Sequence, residues 1–385
     1  MPKTALQAAR TPNLDALAEE GITGMLSPLG QGVIPTSDTS HLQLLGYGLR
    51  EFYPGRGPLE ALGMGIKMQK GDVAFRANFA TVKNGRIVDR RAGRIGTEEA
   101  RKLERDVNMK IEDVRIIFKS SVEHRGALVL RGTGLSTRIS DTDTHHTGEM
   151  ATCKPLDAIP EARKTARIVD QFTKAVKEKL ERNPVNKGRK LPANIVLLRS
   201  PGSYRKVPSM QERFGIRGAC IAGGALYKGV ARYIGMDVLK VKGATGTTET
   251  DLKAKARAAV RASRKYDLVF IHVKAADSFG HDGDFKGKVK MLERIDKELV
   301  AALRKSQVSL VVTGDHATPC IQKAHSDDKV PILVYGKKRD TVKKFDEISA
   351  REGKLGHITG KEVIGLIRDL LRHPYGLAAD AAGGV

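Results

Sequence analysis

Short apolar runs that alternate with helical segments constrain the fold of this chain more than any other feature of its sequence. Runs of strand length, each ending at a loop rich in polar residues or glycine, are Ile195–Leu198, Leu268–Val273, Leu310–Val312 and Ile332–Tyr335. Between them, as over residues 289–303, apolar side chains recur with the period of a helix. This alternation predicts an α/β fold in which helices cover a largely parallel sheet.

The domain organisation follows from the length and from a change in composition. A chain of 385 residues suits two domains, at about 150 residues per domain. Residues 71–210 have shorter strand-like runs and more arginine than their flanks, and stretches rich in glycine, proline or serine at 55–71 and 200–209 mark the junctions. We predict one domain formed by residues 1–70 and 211–385, with a second, smaller domain of residues 71–210 inserted in it.

The composition excludes several classes of protein. No segment approaches the ~20 consecutive apolar residues of a membrane-spanning helix, and the N-terminus lacks the apolar region of a secretory signal. Three cysteines are too few for a disulfide framework, so we expect a cytoplasmic protein. The formal net charge of +23 is spread along the chain and tryptophan is absent, which favours small phosphorylated anions over nucleic acid as ligands.

Aspartates and histidines group together in the C-terminal half. Asp277 and His281 follow one strand-like run, Asp315 and His316 follow the next, and His325 comes nine residues later. In open α/β sheets, ligands bind beyond the carboxyl ends of strands. Carboxylate with imidazole suits Zn, Mn or Fe-like ions, and two such groups suit a binuclear centre. The alternative interpretation is that these side chains are solvated or cap helices.

Ser37 is a candidate nucleophile in a loop that leads into a helix-like apolar run. A serine hydroxyl is a poor nucleophile at its free pKa, and coordination to a divalent cation would lower that pKa. A helix that begins at this point would add backbone N–H groups for a phosphate. The alternative is that Ser37 is an ordinary helix cap. The segment around Ser37 indicates a nucleophile only in combination with the aspartate and histidine groups.

Arginines of the middle segment are candidate anion ligands, because a guanidinium group binds carboxylate and phosphate oxygens in pairs. Lys228, on a predicted helix, is a further candidate phosphate contact. In a chain this basic, each of these residues can equally be an ordinary surface charge. The candidate arginines are Arg90, Arg91, Arg94, Arg125 and Arg199.

Several longer motifs are distributed over the chain. They are TPNLDALAEEG from Thr11, SDTSHLQLLGY from Ser37, GRGPLEALG from Gly55, FRANFATV from Phe75, DRRAGR from Asp89, SDTDTH from Ser140, DSFGHDGDF from Asp277 and TGDHATP from Thr313. Together they resemble the archaeal-type 2,3-bisphosphoglycerate-independent phosphoglycerate mutases, a family of the alkaline phosphatase superfamily. The resemblance extends to about Leu371 and implies an alkaline-phosphatase-like three-layer α/β/α domain with a smaller α/β domain inserted in it.

The resemblance also implies a reaction. It is the interconversion of 3-phosphoglycerate and 2-phosphoglycerate in glycolysis and gluconeogenesis, without free 2,3-bisphosphoglycerate and at two divalent ions (Mn, Mg, Co or Zn). Ser37 would accept the phosphoryl group and release glycerate, while closure of the inserted domain would exclude water. Asp89 and Asp143 are the candidate acid/base residues. The implied ligands are Asp277, His281 and His325 for one ion, and Asp315, His316 and Ser37 for the other.

The chain departs from the family pattern at its start. In the family, a buried first strand ends in an Asp-Gly pair upstream of the helix that begins TPNLD, and that Asp completes the second metal site. Here Met1 lies ten residues before Thr11, and Asp15 lies within the predicted helix. We hypothesise that the natural product begins further upstream; an intact mass of 41.9 kDa for the native protein would contradict this.

The departure keeps other functions open. If the natural product instead begins at Met1, the sheet lacks an interior strand and the Ser37 site lacks a carboxylate, so we expect both activity and stability to be reduced. The alternatives to a mutase are a metal-dependent phosphatase or other phosphotransferase on the same scaffold, and a catalytically impaired binding protein. In each case the sequence predicts a small-molecule partner and neither nucleic acid nor a membrane.

Overall fold

The computed structural model of the protein describes residues 3–336 and 338–372. Its α-helices are α1 (Ala5–Ala8), α2 (Pro12–Glu19), α3 (Ser37–Leu44), α4 (Leu49–Phe52), α5 (Arg56–Gly63), α6 (Thr97–Val107), α7 (Pro160–Arg182), α8 (Met210–Phe214), α9 (Ala225–Tyr233), α10 (Leu252–Ala262), α11 (Ala275–Asp282), α12 (Phe285–Arg294), α13 (Ala301–Arg304) and α14 (Gly360–Arg372). Its strands are β1 (Ile22–Ser27), β2 (Val73–Lys83), β3 (Arg86–Asp89), β4 (Met109–Ile111), β5 (Val114–Ser120), β6 (Arg125–Arg131), β7 (Gly148–Glu149), β8 (Ile195–Ser203), β9 (Gly218–Ile221), β10 (Asp237–Val238), β11 (Leu268–Ile271), β12 (Leu310–Thr313), β13 (Val330–Tyr335) and β14 (Gly356–Thr359). A π-helical segment, Ile295–Val300, joins α12 to α13, and single 3₁₀ turns lie at Pro184–Asn186 and Ser349–Glu352.

The chain divides into two compact units. The first contains the residues up to Tyr53, Pro208–Tyr227 and the residues from Ile234 onward, and the second contains Pro54–Val207 and Lys228–Tyr233. The second unit therefore begins at residue 54, where the composition placed the boundary at 71. The physical reason is α5, which packs against β2 and β8. A Cβ atom at Gly57 of α5 would lie 1.9 Å from the Ala74 carbonyl oxygen, so only glycine permits this close approach.

The first unit contains two sheets, with strand orders β12-β13-β1-β14 and β10-β9-β11. The α/β class and the helix predicted over residues 289–303 are confirmed, since α12, the π segment and α13 span that stretch. Strands β9, β10 and β11 are parallel, as predicted. The prediction of a largely parallel sheet is wrong for β13, which runs antiparallel to both β12 and β1. The chain returns from β12 to β13 without the crossover helix that usually joins parallel strands.

Strands β11 and β12 line a cavity of about 2110 Å³ in the first unit. Within the described residues β11 pairs only with β9 and β12 only with β13, so one edge of each lacks a strand partner. Their sequences, LVFI and LVVT, are as apolar as that of β13, yet every residue of both strands is only partly buried whereas β13 is buried throughout. Unpaired apolar edges of this kind have low local stability.

We expect hydrogen exchange to distinguish these edges from the sheet interior. Alternate backbone amides of β11 and β12 point towards the cavity, and we expect them to exchange about tenfold faster, or more, than the amides of β13, which bond to strands on both sides. Exchange measured by NMR or by mass spectrometry of short peptides tests this. Equal protection of β11, β12 and β13 would contradict the unpaired edges.

The second unit is built on a seven-stranded antiparallel sheet of order β4-β5-β6-β2-β3-β7, with β8 on the free edge of β2. Helices α6 and α7 bury their apolar stripes against one face, where Leu103, Val169 and Phe172 meet Phe79 and Phe118. Helix α7 contains the apolar stripe of residues 168–180, and β5 and β6 contain the apolar runs Val114–Phe118 and Ala127–Leu130. This unit therefore has its own core.

Candidate active site

Ser37 is the first residue of α3, in the first unit. The loop from β1 ends at Thr36, whose extended backbone leads directly into the helix. All residues of α3 except Thr39 are buried, and the Ser37 side chain is held in place with 7% of the residue exposed. The first N–H groups of a helix have no partner within the helix. The start of α3 therefore places backbone donors and the positive end of a helix dipole beside the Ser37 hydroxyl.

A chain of hydrogen bonds connects Ser37 to Asp277. The Thr318 hydroxyl donates to Asp277 Oδ1 at 2.8 Å, so it accepts from His316 Nδ1, which lies 3.1 Å away. Nε2 is then the unprotonated nitrogen of His316, and it lies 3.0 Å from Ser37 Oγ. This tautomer follows from the network of partners and directs an imidazole lone pair at the Ser37 hydroxyl.

Asp277, His281 and His325 form a compact group whose ligand atoms lie within 4.8 Å of one another. The Nε2 atoms of His281 and His325 are 3.3 and 3.6 Å from Asp277 Oδ1. Each histidine donates from Nδ1 to a backbone carbonyl, His281 to Lys323 and His325 to Pro35. Such bonds orient the ring and leave Nε2 free as a ligand nitrogen. The three residues therefore fit a divalent transition-metal ion.

Asp315, which follows β12, has a buried carboxylate oxygen that needs a partner. Its Oδ2 makes no hydrogen bond within the described residues, although His316 Nε2 lies 3.2 Å and His41 Nδ1 3.5 Å away. His41 donates instead to the Ser37 carbonyl oxygen at 2.6 Å. A buried carboxylate oxygen without a donor is costly, and a cation would satisfy it. Asp315, His316 and the Ser37 hydroxyl thus fit a second ion.

Both aspartates of the site are held in the charged form. Burial by itself would raise the pKa of Asp277, but its contacts with His325 and Lys274 outweigh burial and hold that pKa well below its usual range. The histidines around Asp315 lower its pKa in the same way, again against the effect of burial. The contact with Asp277 raises the pKa of His325. Two carboxylate charges in a largely buried site favour cation binding.

Sequence reasoning missed two residues of this site, Lys274 and Tyr227. Lys274 Nζ lies 2.5 Å from Asp277 Oδ2. Burial raises the pKa of the Tyr227 hydroxyl, and an interaction with the Ser37 side chain lowers it. Lys274 precedes Asp277 by three residues, a spacing at which helical side chains meet, so a signal existed for Lys274. Tyr227 comes from α9, and nothing in the sequence connects that helix with Ser37.

Asp143 organises the arginines of the second unit. Its carboxylate is 1% exposed, and Arg90 donates to it from Nε at 2.8 Å and from Nη2 at 2.9 Å. Asn78 donates to Oδ2 at 3.2 Å. Arg199 Nε lies 3.4 Å from Oδ2, but this buried nitrogen makes no hydrogen bond within the described residues. Each guanidinium group has five N–H donors, so both arginines keep donors for a further anion.

A cavity of about 570 Å³ is lined by residues 88–91, which include Arg90, and by residues 145–147. Asp89 accepts the Arg91 backbone N–H at 2.5 Å, which makes it a turn residue. His145, which sequence reasoning also missed, has Nδ1 3.4 Å from Arg90 Nη2 and a left-handed backbone with φ of 66°. A non-glycine residue held in that conformation is a common feature of functional sites.

The remaining predicted anion ligands are not brought together with Asp143 by any contact described above. Arg94 and Arg125 are exposed, Arg94 in the turn after β3 and Arg125 at the start of β6. Lys228 lies in α9, in the C-terminal part of that helix, which belongs to the second unit. Their roles stay predictions from the sequence.

A serine at a helix start, beside aspartate and histidine groups that follow strands of an α/β unit, defines an enzyme of the phosphoryl-transfer class. A family model described as 2,3-bisphosphoglycerate-independent phosphoglycerate mutase matches residues 18–186. The Methanocaldococcus jannaschii enzyme of that name is 46% identical, with 95% of this chain and 92% of the relative covered. The Methanopyrus kandleri enzyme is 45% identical, with 96% and 91% covered. The chain therefore belongs to the 2,3-bisphosphoglycerate-independent phosphoglycerate mutase family.

Solved structures agree with this assignment. The cofactor-independent phosphoglycerate mutase of Thermoplasma acidophilum is 36% identical with a TM-score of 0.71, over 96% of this chain and 94% of the other. A Pyrococcus horikoshii protein is 34% identical with a TM-score of 0.83, over 98% and 93%. These likenesses confirm the α/β fold class. None of the helices in residues 3–336 and 338–372 is long and apolar enough to cross a membrane.

Proposed function

We propose that the chain interconverts 3-phosphoglycerate and 2-phosphoglycerate through a phosphoserine on Ser37. The contact between Ser37 Oγ and His316 Nε2, at 3.0 Å, carries the proposal, because it joins a helix-terminal hydroxyl to a site that fits divalent cations. The relatives are named as independent of 2,3-bisphosphoglycerate, so we propose no such cofactor. Glycolysis and gluconeogenesis in the cytoplasm are the setting that this reaction implies.

The residues of the first unit suit an in-line phosphoryl transfer. Ions such as Mn, Mg, Co or Zn, held by Asp277, His281 and His325 and by Asp315, His316 and Ser37, supply charge neutralisation and a lower pKa for the Ser37 hydroxyl. Ser37 Oγ forms a bond to phosphorus while the bond from phosphorus to a glycerate oxygen breaks. The proton lost by Ser37 ends on that glycerate oxygen. In the reverse step the other glycerate hydroxyl takes the phosphoryl group back and returns a proton to Ser37.

The second unit supplies residues for the organic acid. We propose that the free donors of Arg90 and Arg199 bind an anionic group of the substrate, since paired guanidinium donors match carboxylate and phosphate oxygens. Asp89 and Asp143 both stay acid/base candidates: Asp89 accepts one backbone N–H within its own turn, whereas the buried Asp143 carboxylate is paired with Arg90 and Asn78. Asp143 also orients both arginines, so its two roles need separate tests.

We expect the purified chain to convert 3-phosphoglycerate into 2-phosphoglycerate when Mn²⁺ is added and 2,3-bisphosphoglycerate is absent. Chelation of the metal should abolish turnover, and re-addition of Mn²⁺ should restore it. An assay coupled to 2-phosphoglycerate consumption, together with a colorimetric assay for inorganic phosphate, measures both products. Release of phosphate without isomerisation would identify a phosphatase, and no turnover in either assay would contradict catalysis by this chain.

A further inference from the structure

Tyr227 is held against the Ser37 hydroxyl by a rigid aromatic environment. It is 3% exposed, its ring stacks on the His272 ring with centroids 3.3 Å apart, and the His41 ring meets it edge-on at 5.1 Å. The same His41 donates from Nδ1 to the Ser37 carbonyl oxygen at 2.6 Å, and an interaction with the Ser37 side chain lowers the pKa of the Tyr227 hydroxyl, which burial raises. A buried tyrosine hydroxyl normally needs a polar partner. Here the neighbouring polar side chain is the one that we propose as nucleophile, so the tyrosine hydroxyl lies beside the reacting group.

Lys274 brings a positive charge to the same place. It immediately precedes α11, and its Nζ contacts Asp277 Oδ2, so that Oδ1 remains for Thr318 and the histidines. The side chain of Lys274 is about one-third exposed, at 34%. Its contact with Asp277 places the ammonium group at the carboxylate that Thr318 and His316 connect to Ser37. An ammonium has three donors, and the contact with Asp277 uses one.

A phosphoryl group attached to Ser37 would need donors for its three non-bridging oxygens. In phosphoryl transfer the protein contributes mainly positioning and charge stabilisation at those oxygens. The start of α3 offers backbone N–H groups, and Tyr227 and Lys274 offer two side-chain donors beside Ser37. The two ionised aspartates would otherwise repel the phosphoryl oxygens, so a fixed ammonium group has a direct electrostatic function here.

We propose that Tyr227 and Lys274 are catalytic residues that bind the non-bridging oxygens of the phosphoryl group during its transfer to and from Ser37. This inference rests on the proposed phosphoserine chemistry. In the forward step the bond from Ser37 Oγ to phosphorus forms, the bond from phosphorus to the glycerate oxygen breaks, and the Ser37 proton ends on glycerate. Tyr227 and Lys274 keep their protons throughout and only donate hydrogen bonds, so the step needs no further reactant.

The test compares three variants of the Mn²⁺-loaded protein with the unmodified protein. Tyr227→Phe and Lys274→Met should each lower kcat about 100-fold, the usual effect of losing one donor to a developing oxyanion. Both should also weaken binding of orthovanadate, a phosphoryl mimic, about tenfold or more. Lys274→Arg should recover much of both losses because it restores a charged donor. Affinity for Mn²⁺, measured by electron paramagnetic resonance, should change less than affinity for orthovanadate in all three.

Tyr47→Phe is the matched control for the tyrosine. Tyr47 is another fully buried tyrosine of the first unit, and its hydroxyl donates to the Pro208 carbonyl oxygen at 2.8 Å, away from Ser37. This variant should show a lower Tm with unchanged kcat and unchanged orthovanadate affinity. The comparison therefore separates loss of a buried hydrogen bond from loss of a phosphoryl contact.

Two results would overturn the inference. If Tyr227→Phe and Lys274→Met bound orthovanadate as tightly as the unmodified protein, neither residue would contact phosphoryl oxygens. If Lys274→Met weakened Mn²⁺ binding as much as orthovanadate binding, Lys274 would only position Asp277. Failure of the proposed function is a different observation, because the unmodified protein would then form no phosphoserine on Ser37 when mixed with substrate.

Discussion

Replacement of Ser37 by alanine should lower mutase kcat by roughly four orders of magnitude or more, since removal of a nucleophile leaves only binding and charge stabilisation. The hydroxyl is buried at the first residue of α3 and lies 3.0 Å from His316 Nε2, and no other described hydroxyl occupies that position. Mass spectrometry of rapidly quenched protein should find one added phosphoryl group on the peptide that contains Ser37, and none in Ser37→Ala.

Ser40→Ala is the control, because it makes the same chemical change in the same helix. The Ser40 hydroxyl is fully buried and makes no hydrogen bond within the described residues. Its removal should leave kcat unchanged and should preserve or slightly raise stability, because a buried hydroxyl without a partner costs free energy. Full activity in Ser37→Ala, or phosphorylation at another residue, would refute the assignment of Ser37.

The sequence alone predicted the site residues that come directly after a strand. Asp277 comes after β11 and Asp315 after β12, and the carboxyl ends of strands meet at one edge of an α/β unit. Local sequence is enough to place such residues. The same is true of Ser37, because the pattern that ends a loop and begins a helix is local.

The parts that could not be predicted depend on how distant elements pack. Tyr227 lies beside Ser37 because its ring stacks on the ring of His272. The sequence of α9 does not show which of its side chains faces the site. Arginine content predicted anion binding in the middle segment, yet it could not show that Asp143 would pair with Arg90 and leave Arg94 exposed. The sequence did not predict that β13 is antiparallel, because the hydrophobic pattern of a buried strand does not depend on the direction in which the strand runs.

Asp277→Asn should remove most of the metal-dependent stability of the protein. Asp277 Oδ1 lies 3.3 Å from His281 Nε2 and 3.6 Å from His325 Nε2, and the two carboxylate oxygens also accept from Thr318 and Lys274. Asparagine keeps the shape but loses the charge that a divalent ion and Lys274 both require. A ligand at 100 times its Kd stabilises the folded state by about 2.7 kcal/mol, so the Tm of the unmodified protein should rise clearly with Mn²⁺.

Asp277→Asn should show little of this Mn²⁺-dependent rise in Tm. Its kcat should be lower by roughly a thousandfold, because charge neutralisation at the transferring phosphoryl group would be lost. Asp282→Asn is the matched control: it removes a carboxylate from the same helix, but Asp282 is exposed, so Mn²⁺ should stabilise it as it does the unmodified protein. An Asp277→Asn variant that kept the Mn²⁺-dependent rise in Tm would mean that Asp315, His316 and Ser37 hold the stabilising ion. Activity would then separate the two sites: if kcat also survived, a single ion beside Ser37 would suffice, and the group around Asp277 would serve only to orient His316 through Thr318.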